Sequence, residues 1–111
     1  MRDQKLYLID IVESIRYIKK YTSNLNEEGF YQSEQIQDAV LRRLEIIGEA
    51  TKNISDDFKD RFPQLPWKEM AGIRDVIIHD YFGINLRRIW LTVKQDLPTL
   101  ETLIEEVLKK I

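Results

Sequence analysis

An all-α fold is what the sequence predicts, on three observations. Apolar residues recur at three- and four-residue spacing along most of the chain, no segment alternates with the two-residue period of a strand, and only 4 glycines and 3 prolines interrupt 111 residues. A chain of about 100–200 residues usually builds one core, so residues 1–111 are expected to form a single domain. Short connections favour antiparallel neighbours, which makes the expected architecture a four- to five-helix antiparallel bundle.

The first helix is expected over roughly residues 3–21, where Leu8, Ile11, Val12, Ile15 and Ile18 form one stripe among charged residues. TSNLNEEGF then breaks the pattern with turn formers. A second helix runs from about Ser33 to Ile54 on Ile36, Ala39, Val40, Leu44, Ile47, Ala50 and Ile54; about 20 residues would span about 30 Å. Ser55 followed by Asp56 and Asp57 reads as an N-cap with acids in the first turn of a short helix ending near Arg61.

FPQLPW, residues 62–67, is the clearest break, because two prolines three apart cannot both lie inside a helix. Pro66 suits the first turn of the next helix, which carries Trp67, Met70, Ile73, Ile77 and Ile78 and is expected to stop before Gly83. Asn85 can cap the last element, where Leu86, Ile89, Trp90, Val93, Leu97, Leu100, Ile104, Val107 and Leu108 keep the rhythm to the end. Pro98 falls in the middle of that run and should kink the helix or divide it.

With 43% hydrophobic and 32% charged residues the composition is that of a soluble globular protein. No apolar run of about 18 uncharged residues is present, and charges break the apolar run at the N-terminus, so neither a membrane span nor a signal peptide is expected and the default location is cytoplasmic. The absence of cysteine excludes disulfides, thiolate metal sites and cysteine nucleophiles. A single histidine argues against a protein-built zinc site, and no metal or other cofactor is expected. A formal net charge of −2 argues against a general nucleic-acid binder, so any such contact must be local.

That one histidine lies in IRDVIIHDYFG, residues 73–83. On a helix, Asp75 and His79 fall on nearly one face, so Asp75 could orient the imidazole and favour its charged form. Arg74 and His79 are five apart, about 140° around the axis. They converge only if the arginine reaches around, the helix distorts, or a second chain contributes. Spacing alone leaves two readings open, a reactive group or an ordinary histidine favoured by a helix C-terminus.

RRLEIIGEA at 42–50, FPQLPW at 62–67, GIRDVIIHDYFGINLRRIW at 72–90 and DLPTL at 96–100 together resemble the HepT-like family of small HEPN-type proteins, in order and over most of the chain. The resemblance implies a helical, homodimeric ribonuclease toxin, encoded beside a minimal nucleotidyltransferase that serves as its antitoxin. The family motif falls on Arg74, Asp75, His79 and Tyr81. It implies that Arg74 and His79 act in RNA cleavage, with Asp75 in support, and that Tyr81 is the residue adenylylated to silence the toxin. Asp75 stands where the family often has asparagine, and so adds negative charge beside an RNA phosphate.

Cleavage of RNA without a metal needs a base for the 2′-OH proton and an acid for the leaving 5′-oxygen, and a histidine with a pKa near 6.5 can do either. The planar fork of an arginine suits the charge that develops on phosphorus. One histidine for two proton transfers points to a two-fold dimer that joins two motifs in one cleft. Water or a substrate group is the alternative proton carrier.

An AMP on Tyr81 would place phosphate and base beside that cleft; alternatively Tyr81 packs against Phe82 or Trp90. Arg42, Arg43, Lys52, Arg87 and Arg88 either line an RNA path or form solvated faces. Trp67 and Trp90 read as core or dimer-interface anchors, with base stacking as the other use. The competing function is a non-catalytic helical subunit that holds a nucleotide or presents substrate to the nucleotidyltransferase; the third is a purely structural dimer.

Overall fold

The computed structural model describes residues 2–79 and 85–111, the side chains of 76–79 excepted, and every regular element among them is helical. Helix α1 (Gln4–Thr22) buries the stripe from Leu8 to Ile18. Asp3 caps it by accepting from the Lys5 N–H at 2.9 Å, and Lys19 and Lys20 complement the negative end of its dipole.

The stretch expected to be only a turn contains a helix, α2 (Glu27–Gln32). Asn26 accepts from the Gly29 N–H at 2.8 Å and acids fill the first turn, so NEEGF is a helix start inside what reads as a loop. Six residues are too few to be helical alone; Phe30, fully buried against Trp90 with ring centroids 5.4 Å apart, ties α2 to the core.

Helix α3 (Glu34–Asn53) starts on Ser33, whose hydroxyl accepts from the Ile36 N–H, and buries Val40, Leu44, Ile47 and Ala50. Gln4 at the head of α1 accepts from the Ser55 N–H just beyond α3, while Arg43 lies over the Tyr17 ring; these contacts make α1 and α3 antiparallel. Ser55 caps α4 (Asp56–Arg61) as expected, by accepting from the Phe58 N–H. The FPQLPW break packs as a small aromatic cluster: Phe58, Phe62 and Trp67 meet, and the Trp67 indole N–H donates to the Phe62 carbonyl at 2.9 Å.

Helix α5 (Trp67–His79) begins beside Pro66, whose carbonyl accepts from the Met70 N–H. It packs on α3, which therefore lies between α1 and α5. The expected stop before Gly83 lies outside the described residues.

The last run comprises α6 (Leu86–Leu91), a π turn over Thr92–Asp96 and α7 (Leu97–Leu108). Asn85 caps it by accepting from the Arg88 N–H at 3.1 Å. Pro98 falls in the first turn of α7, and the wide turn before it, in which the Leu97 N–H reaches back to the Thr92 carbonyl, makes room for the proline ring. Helix α7 runs antiparallel to α1, held by Arg16 to Glu105 and Lys19 to Glu101. Among the described residues no helix is long and apolar enough to cross a membrane.

Candidate functional site

Arg74 leaves α5 at its contact with α3, where Gly48 faces it across the helix interface. A Cβ built on Gly48 would stand 2.6 Å from Cβ of Arg74, and 3.2 and 3.3 Å from its N and Cα. From that root the side chain runs outward, and Nη1 donates to Oε2 of Glu49 at 2.9 Å. The Arg74 side chain is 39% exposed and Glu49 60%, so the pair is open to water and to a competing anion.

The guanidinium borders an open cleft of about 460 Å³ between the outer faces of α1, α3 and α5. Arg2, Tyr7 and Arg42 line it as well. Each of its three arginines meets a carboxylate: Arg2 to Asp10 at 2.6 Å, Arg42 to Glu45 at 3.5 Å and Arg74 to Glu49. The Arg2 guanidinium also lies 4.9 Å from the centre of the Tyr7 ring. The lining is thus charge-balanced, and an entering phosphate must exchange with side-chain carboxylates.

Of the residues singled out in the sequence, the structure brings Arg42 to the Arg74 cleft. Arg43 instead stacks on Tyr17 at 4.2 Å, and Arg87 donates to Glu27 at 2.8 Å. Glu27 also accepts from the Tyr31 hydroxyl, a hydrogen bond that raises the Tyr31 pKa above its ordinary value. Arg88 borders a second, mostly apolar groove between α5 and α6–α7, with Met70, Ile73 and Leu100. Trp67 and Trp90 are partly buried against the core.

Asp75 is exposed one turn before His79, and α5 keeps its α-helical backbone through both positions. Positions 74 and 79 consequently stay about 140° apart on one helix. The imidazole of His79 and the whole of Tyr81 lie outside the described residues. Gly48 and Glu49 fall within the RRLEIIGEA stretch, but the sequence assigns neither them nor Arg2 a role at the site. Gly48 carried a usable signal, since an isolated glycine inside a helical pattern usually has a packing reason.

The Ribonuclease HepT-like family matches residues 11–107. A probable ribonuclease HepT from Thermococcus cleftensis is 48% identical over 108 residues, 97% of this chain and 98% of that protein. A candidate RNase from Methanocaldococcus jannaschii is 43% identical over 106 residues, 96% of this chain and 97% of that one. A longer protein of the same organism, described as a gamma-glutamylcyclotransferase and candidate RNase, is 47% identical over 108 residues; the chain spans 47% of its length. No solved structure matches.

Proposed function

The chain belongs to the HepT-like ribonuclease family, and on that premise we propose that it is the endoribonuclease toxin of a toxin–antitoxin pair, acting without a metal in the cytoplasm. The observation that carries the site is the placement of Arg74: a partly exposed guanidinium on the wall of an open cleft that Arg42 also lines. Phosphate exchanges with Glu49 for the Arg74 fork, which then stabilises the charge that grows on phosphorus as the 2′-oxygen attacks. His79 carries the proton that leaves the 2′-OH, and a protonated imidazole returns one to the departing 5′-oxygen, leaving a 2′,3′-cyclic phosphate and a 5′-hydroxyl.

The helical backbone through position 79 supports the dimeric form of this reading. Because positions 74 and 79 lie about 140° apart around one helix, a second copy is the simplest way to bring two arginines and two histidines into one cleft. Asp75, one helical turn before position 79, is the supporting residue in this reading. A minimal nucleotidyltransferase silences the toxin by adding AMP to Tyr81.

Expression of Arg74→Ala and of His79→Ala tests the reading, with each variant losing both growth arrest and RNA cleavage. If cleavage persists in both variants, the assignment is wrong; if the wild-type protein binds the nucleotidyltransferase but never cuts RNA, the chain is a non-catalytic subunit. Intact mass after co-expression with the nucleotidyltransferase should rise in AMP steps that Tyr81→Phe abolishes.

A further inference from the structure

We propose that Gly48 is a positioning residue for Arg74: its missing side chain lets α5 seat directly on α3, and that seat sets where the guanidinium enters the cleft. The proposal rests on reading Arg74 as the phosphate-binding group. Glycine is among the poorest helix formers, and Gly48 is buried within the 20-residue α3, so a packing requirement must justify it. The atoms a Cβ would meet are Cβ, N and Cα of Arg74, at 2.6 to 3.3 Å. Carbon atoms pack at about 3.5–4.0 Å, so 2.6 Å is not a contact that relaxes by a small adjustment. None of the three atoms belongs to a flexible side-chain end that could rotate away; α5 itself must move.

Gly72 provides the contrast. It too lies inside a helix, yet a Cβ built there meets nothing within 4 Å. Close approach therefore distinguishes Gly48, and it occurs at the root of the arginine. The neighbouring residue of α3, Glu49, receives the other end of the same side chain at 2.9 Å. Two consecutive residues of α3 thus fix Arg74 at root and tip in the free protein. When RNA replaces Glu49 at the tip, the root contact at Gly48 is what remains to hold the fork in register.

Gly48→Ala should shift α5 and carry the guanidinium with it. A displacement of about 1 Å at a catalytic group can cost about 100-fold in rate. The test uses cleavage of a single-stranded RNA, together with salt-dependent binding of a non-cleavable 2′-deoxy strand of the same sequence. Gly48→Ala, with helicity preserved, is expected to lower kcat by about 100-fold and to flatten the slope of log affinity against log salt by about 0.7, one phosphate contact. Gly72→Ala should change neither. In an Arg74→Ala background, Gly48→Ala should produce no further change in slope.

A folded Gly48→Ala protein with wild-type kcat and slope overturns the proposal. So does a second loss of slope in the Arg74→Ala background, which would mean general distortion. Wild-type protein that neither binds nor cuts the RNA defeats the ribonuclease reading itself, and the proposal with it. Should Gly48→Ala not fold, Gly48→Ala/Arg74→Gly, which lacks the atom at 2.6 Å, is expected to recover the fold; a double variant that stays unfolded overturns the proposal.

Discussion

The guanidinium of Arg74 on α5 donates to the carboxylate of Glu49 on α3, Nη1 to Oε2, at 2.9 Å. Because Glu49 is mostly solvated, the pair is worth about 0.2–1 kcal/mol and a phosphate can displace it. Glu49→Gln removes the competing charge and retains the polar shape. It should bind single-stranded RNA about 2- to 5-fold more tightly at low salt, converging on wild type as salt rises. Fluorescence titration at two salt concentrations checks this. Weaker binding would mean that the Glu49 carboxylate helps the bound state.

Arg74→Lys separates charge from geometry. Lysine keeps the positive charge near phosphate but replaces a planar fork with a rotating ammonium, so ground-state attraction survives and the directed hydrogen bonds do not. The salt dependence of RNA binding should stay near wild type while kcat falls about 10- to 100-fold. Equal losses in binding and in kcat would place Arg74 in simple anchoring.

The long helices were readable because their burial is local and periodic. Leu8 to Ile18 and Val40 to Ala50 point inward at the spacing of one helical face, and Ser55 and Asn85 are caps legible in the sequence. Helix α2 was missed because its stability comes from Phe30 meeting Trp90, a contact between residues 60 apart in the chain. The effect of Pro98 was foreseen as a kink or a break, but the π turn that absorbs it depends on how five preceding residues rearrange. At the site, the family resemblance singles out Arg74, while Arg42 is one of five basic residues that the sequence leaves between an RNA path and a solvated face. Nothing in the sequence showed that Gly48 and Glu49 would meet Arg74, because that depends on how α3 and α5 pack.

Phe30→Ala should cost about 3–5 kcal/mol in denaturant unfolding, since a fully buried phenyl ring is lost and a cavity is left against Trp90. With its anchor gone, the six residues of α2 cannot hold a helix by themselves, and the Arg87–Glu27 pair should loosen with them. Amide exchange over residues 27–32 should then approach that of an open chain. Retention of protection there would show that the Asn26 cap and the first-turn acids suffice.

Glu101 offers the most separable electrostatic test, because one nearly buried carboxylate serves two cations of α1. Its side chain is 12% exposed and accepts from Lys19 at 2.8 Å, with Arg16 Nε at 3.4 Å. Both cations are more than half exposed, so on removal of Glu101 they return to water and leave no stranded buried charge. Glu101→Ala should therefore destabilise by only about 1–2 kcal/mol. Much of Arg16 binding persists through Glu105, at 3.0 Å, so the loss should fall mainly on Lys19. A double-mutant cycle of Glu101→Ala with Lys19→Ala is expected to show a coupling of about 0.5–1 kcal/mol in urea unfolding, larger than the cycle with Arg16→Ala. If the Arg16 cycle gives the greater coupling, the guanidinium rather than the ammonium ties α1 to α7.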